Sequence, residues 1–260
     1  MELGNILGKT YSDYKKNFRA ILLLTLILVG IPLVFTNLVL YGFAMNDPVF
    51  YQAFVNEEVD SINPTFAIVI ALISLITLVL YFIYEGGLIR DSIGGKFNFH
   101  KTTNAGKKYF WKFVWFGMVT IFFLMLLFLA FIIPGIIFSI YWALGIYVYF
   151  DSNKNVRESL RTSFKMVRGN WWRMVGYSLV LFLILGVIGA VMGLIAVPTE
   201  LAVRASESPS LGLLFGSYIL KDLVNFVYTL VSVPFMVLFY KNIYLELRGK
   251  GKKKKSSKKK

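Results

Sequence analysis

The sequence predicts an all-α, polytopic membrane protein: about six transmembrane helices in three hairpins, each hairpin preceded by a basic interfacial amphipathic helix. Three observations predict it. The 260-residue chain is 57% hydrophobic and 16% charged, with a mean hydropathy of +0.65, whereas soluble domains are roughly 45–50% apolar and 25% charged. Its apolar residues come in blocks longer than the ~18 residues that separate a membrane span from a buried core helix. Threading those blocks alternately through a bilayer leaves nearly all the Lys and Arg on one side, as the cation excess of cytoplasmic loops requires.

The spans expected are Ala20 to Phe43, Thr65 to Tyr84, Phe113 to Ile133, Gly135 to Phe150, Met174 to Val197 and Leu223 to Tyr240. The opening "MELGNILGKTYSDYKKNFRA" has no apolar run before its charges and no cleavage signature, so the first span is expected to be retained. In "IIPGII" the Pro-Gly dipeptide, Pro134 and Gly135, is expected to form a tight hairpin tip. Lys221 and Asp222 interrupt the approach to the last span and are expected to pair with each other, with the segment before them along the outer interface. Residues 1–244 form the membrane domain, and 245–260, "ELRGKGKKKKSSKKK" from Glu246, a disordered lysine-rich tail.

With the N-terminus inside, the inner segments hold Lys9 to Arg19, Arg90 to Lys112, Lys154 to Arg173 and the tail from Lys241, leaving only Arg204 and Lys221 outside. The outer loops hold Asp47, Glu57, Glu58, Asp60, Glu200 and Glu207. A cell-membrane protein with both termini cytoplasmic is expected.

From Asn153 to Arg168, Val156, Leu160, Phe164 and Val167 recur at helical spacing, while Arg157, Arg161, Lys165 and Arg168 form a second stripe. A basic polar face beside an apolar stripe suits a helix lying in the headgroup plane over anionic lipid. Asn155 and Glu158 have capping-box spacing, and Gly169 can end the helix. Trp171 and Trp172 then either anchor the next span at headgroup depth or pack within a bundle or ligand site. The stretch "SFKMVRGNW" aligns with "TYSDYKKNF" at the N-terminus and loosely with "TTNAGKKYFWK"; the likeness reflects either an internal repeat or the shared needs of an N-in hairpin.

The segments "GGLIRDSIGGKFNFHKTTNAGKKYFWKFV", "IIPGIIFSIYWALGIYVYF" and "RESLRTSFKMVRGNWWRMVGY" together resemble the six-span membrane family that includes the membrane domain attached to some bacterial glycerophosphodiester phosphodiesterases. The resemblance rests on Glu158, Leu160, Ser163, Gly169 and Trp172, is strongest from Gly86 to Tyr177 and weakens after Pro198. It implies an architecture rather than a reaction, because the phosphodiesterase barrel is missing.

No catalytic constellation is legible. The chain has no cysteine and one histidine, His100, between Phe99 and Lys101, so thiolate chemistry is excluded and a cluster of convergent ligands is lacking. No enzyme activity, metal or cofactor is expected. The intramembrane polar candidates are Glu85, Arg90 and Asn225, with Arg90 near enough in sequence to partner Glu85. A carboxylate there is either a structural interface group or a substrate or proton site. Gly186, Gly189 and Gly193 offer small-residue packing, within the chain or against a protein partner or second copy.

Two functions follow. The first is a non-enzymatic membrane organiser or accessory subunit whose partners are anionic inner-leaflet headgroups, with nucleic acid the weaker match to the tail. The second is a transporter or channel for a small, anionic or lipid-like solute, with its path near Glu85.

Overall fold

The structure is a computed structural model that describes residues 2–47, 51, 64–152, 154–206 and 210–257, with side chains to Gly249. The expected outer-loop acids Glu57, Glu58, Asp60 and Glu207, and the start of the basic helix at Asn153, lie outside the described residues.

The described chain is all-α. In order come α1 (Leu3–Thr25), a π-turn (Leu26–Gly30), α2 (Ile31–Asn46), α3 (Pro64–Ser92), α4 (Phe99–Ala130), α5 (Ile132–Trp142), α6 (Gly145–Asp151), α7 (Val156–Val167), α8 (Trp171–Arg204) and α9 (Leu211–Ser257). Grouped where they run on, they supply six helical segments long and apolar enough to cross a membrane. The chain is a multi-pass membrane protein. Its outside is apolar in keeping: Ile121, Met125 and Leu129 on α4 and Phe182, Val187 and Leu194 on α8 are all exposed, which lipid rather than water tolerates over whole helices.

The leading segments expected as separate interfacial helices are continuous with their spans in α1 and α4. Only α7 is set off, by a 3-10 turn at Arg168–Asn170. Gly169 sits within that turn and does not take the left-handed conformation, which among the described glycines occurs at Gly95 (φ 77°), after α3. The Pro-Gly tip is also displaced. Phe131 alone is extended, α5 begins at Ile132, and Pro134 and Gly135 fall in its first turn. Proline is tolerated there because the first helical N–H groups have no intrahelical acceptor. Gly135 then gives room to the Phe128 ring, which lies 2.5 Å from where a Cβ would be.

The π-turn also has a sequence cause. Pro32 lacks the N–H that Leu28 would accept and its ring crowds that carbonyl; the helix widens just before it, with the Ile31 N–H reaching Leu26 O. At the other end α9 passes the boundary expected at Tyr244 without a break, with Leu247 buried.

Contacts divide the chain into two compact units. The first comprises residues 1–21, 82–184 and 232–260, and its fully buried side chains include Tyr84, Leu88, Leu144, Met174 and Phe239. The second comprises 22–81 and 185–231, with a core of Ala44, Phe66, Leu214 and Phe215.

Candidate functional site

Glu85 lies on α3 in the first unit, half-buried, beside the fully buried Tyr84. Its carboxylate and the Tyr240 hydroxyl are both within electrostatic reach of Tyr147. The two tyrosine hydroxyls are used elsewhere: Tyr147 donates to the carbonyl of Val237 (2.9 Å) and Tyr240 to Ser178 Oγ (3.0 Å). Arg90 does not pair with Glu85. Its guanidinium lies 5.4 Å from the centre of the Tyr109 ring, because a spacing of five residues places two side chains well apart around a helix, whereas three or four brings them together. Asn225 is exposed in the second unit, so the three expected polar residues do not share a unit.

A polar lattice in the first unit was not legible. Lys241, its side chain 3% exposed, meets Asp13 at 2.6 Å. Asn242 donates to both Thr10 and Asp13, and Asp151 accepts from Tyr244 (2.6 Å) and Arg248. Asn17 accepts the Phe97 N–H (2.9 Å), and Thr102 donates to Asp91 (2.8 Å). The available signal was Asp13 and Asp91, each the one acid within its basic segment.

Around α7 the sequence was more informative. The Asn155 side chain accepts the Glu158 N–H at 2.9 Å and caps the helix. Val156, Ser159, Leu160, Ser163 and Val167 are buried, Val156 and Leu160 against Phe116 and Tyr149, and Ser163 donates to the Tyr141 carbonyl (2.7 Å). Arg157, Arg161, Lys165 and Arg168 are all exposed, and none forms an ion pair among the described residues. Beyond them Tyr141, Arg168, Asn170, Trp171, Trp172 and Arg173 surround a hollow of about 490 Å³. Trp172 is 79% exposed, while Trp171 is half-buried and meets it edge-on at 4.7 Å. Two guanidinium-bearing side chains at the rim of an aromatic hollow can take an anionic group on their charge and its apolar neighbour on the rings.

In the second unit Lys221 and Asp222 turn to different partners. Lys221 pairs with Glu200 at 2.8 Å, and Asp222 accepts from Asn37; adjacent residues on a helix cannot face one another. Of the three glycines expected to pack, Gly189 alone does so closely, its Cβ position 3.1 Å from the Tyr228 ring, while Gly186 and Gly193 are exposed with nothing within 4 Å. A groove of about 870 Å³ runs between the π-turn and α2 on one side and the start of α9 on the other.

A family model described as "Domain of unknown function (DUF7847)" matches residues 101–247, more than half of the chain. The chain belongs to this family. No curated protein and no solved structure matches it. The DUF7847 match contains α7, the tryptophan hollow, Asp222 and, of the polar lattice, Thr102, Asp151, Lys241, Asn242 and Tyr244; it leaves out Asp13, Asn17, Asp91 and Arg248 as well as Glu85, Arg90 and Asn37.

Proposed function

We propose that the chain is a non-enzymatic protein of the cell membrane that binds anionic inner-leaflet headgroups and serves there as an organiser or accessory subunit. The observation that supports this is the row of Arg157, Arg161, Lys165 and Arg168, exposed together and leading into the Arg168–Arg173 hollow with its two tryptophans. Cations beside anionic lipid gain from the negative surface potential of the cytoplasmic leaflet, and tryptophans favour headgroup depth. In this reading α7 is an interfacial amphipathic helix, both termini are cytoplasmic, and the lysine-rich tail adds to the attraction. The six spans form three hairpins, and the relation to the phosphodiesterase-associated membrane domain is one of architecture.

The test is lipid retention. Protein reconstituted with mixed neutral and anionic lipid is exchanged into neutral detergent and its bound lipids are quantified. The intact chain is expected to be enriched in anionic lipid, and the R157Q/R161Q/K165Q/R168Q variant to lose most of that enrichment. Equal retention by both removes the reading.

Glu85 favours a second reading, transport, since a carboxylate between spans often marks a pathway and its tyrosine neighbours donate elsewhere. Solute flux in proteoliposomes that Glu85→Gln abolishes replaces the first reading with this one.

A further inference from the structure

We propose that the groove of the second unit binds a membrane amphiphile carrying a protonated amine on an apolar body. This inference concerns the second unit alone and does not depend on the headgroup reading.

The groove is apolar along most of its length. Val34 and Leu38 on α2, with Ile219 and Leu223 on α9, border it, and all four are exposed. Within this lining the polar side chains are Tyr41, one turn further along α2, and a hydrogen-bonded pair, Asn37 and Asp222. The two amide N–H groups of Asn37 are both engaged: its Nδ2 donates to the Leu33 carbonyl at 3.1 Å and to Asp222 Oδ2. An asparagine has no other side-chain donor, and an ionised aspartate has none. What the pair still offers is therefore acceptor capacity alone, at Asn37 Oδ1 and Asp222 Oδ1.

Charge points the same way. The cation next to Asp222 in sequence, Lys221, is held by Glu200, and among the described residues that line the groove there is no Lys or Arg. A carboxylate in apolar surroundings is costly without a countercharge or full hydrogen bonding. An anionic headgroup, or one that only accepts, adds to that cost. A protonated amine offsets it with a positive charge and as many as three N–H donors.

Depth and size decide what carries the amine. Asn37 lies nine residues before the end of α2 at Asn46, about 14 Å along the helix at 1.5 Å per residue. A molecule reaching it along the groove travels over apolar side chains, so its body is apolar. The volume of about 870 Å³ lies within the roughly 300–1,000 Å³ of pockets that enclose a whole small ligand.

The experiment uses the full chain in nanodiscs of neutral phospholipid. Three photoreactive probes share one diazirine-bearing alkyl chain and end in a primary amine, an alcohol or a carboxylate. After illumination, labelled peptides are mapped by mass spectrometry. The amine is expected to label 26–41 and 212–226 about tenfold more than the carboxylate, and Asp222→Asn to remove that preference, as the loss of a charge-assisted hydrogen bond implies. A second variant, Gly216→Phe, fills the groove from a position with nothing within 4 Å of its Cβ site and leaves Asp222 in place; it is expected to exclude all three probes. Equal labelling by the three probes in the intact chain identifies ordinary lipid contact and overturns the proposal, as does an amine preference that survives Asp222→Asn. If Asp222→Asn does not fold, the amine-to-carboxylate ratio of the intact chain and its loss in Gly216→Phe decide the matter.

Discussion

A methyl group added at Gly106 would collide with the carbonyl oxygen of Ile83, and one at Gly87 with that of Thr102. Both neighbours are backbone, which cannot swing aside as the tip of a side chain can. The two glycines thus set how closely α3 and α4 approach, by the same logic that places small residues where membrane helices cross. Gly106→Ala is expected to cost about 1–3 kcal/mol, the usual range for overpacking, read as a lower midpoint of thermal unfolding in detergent. Gly117→Ala, with nothing within 4 Å, is expected to be neutral or slightly stabilising, since alanine is the better helix former. Equal midpoints for the two variants count against the close approach. Gly86 and Gly87 stand side by side in the sequence as residues permitting close packing, but Gly106, whose Cβ site abuts the Ile83 carbonyl, could not be read so, because nothing local marks a glycine in mid-helix as a contact.

Among the elements, α7 was the most legible. Its apolar and basic residues each keep helical spacing, and its N-cap is Asn155, whose side chain accepts the Glu158 N–H. Asn155→Ala is expected to cost about 1 kcal/mol and to quicken limited trypsin cleavage at Arg157 and Arg161, while Asn155→Asp keeps the cap and the native rate. A cleavage rate unchanged by alanine means that packing of Val156, Leu160 and Val167 holds the helix without its cap. Asn98 caps α4 in the same way, accepting the Lys101 N–H at 3.3 Å. Breaks were harder to locate than starts. Pro134 promised a turn and instead took a first-turn position, whereas Pro32 gave a π-turn inside a helix that carries on. A proline states which hydrogen bond is missing; whether the chain turns, widens or starts a helix there depends on what packs around it.

At the scale of the whole molecule the proposed orientation makes a clean experiment, because the chain has no cysteine and a single introduced thiol is unique. In intact cells, Lys9→Cys, His100→Cys and Lys154→Cys are expected to resist a membrane-impermeant maleimide, and Ala205→Cys to react with it. Reaction at Lys9 or His100 without lysis reverses the orientation and removes the cytoplasmic leaflet from the proposed function.

The sequence by itself determined that the chain is helical and crosses a membrane about six times, because composition, block length and charge asymmetry are sums over neighbouring residues. It also carried the α7 cap and its two faces, which need no more than a few turns of helix. Only the tertiary structure decided the pairings. Asp13 meets Lys241 across 228 positions and Asn37 meets Asp222 across 185, while the neighbours expected to pair, Glu85 with Arg90 and Lys221 with Asp222, do not. The reason is geometric: helical rotation fixes which nearby side chains can meet, and which distant helix lies opposite is settled by packing, a property of the folded chain rather than of any one segment.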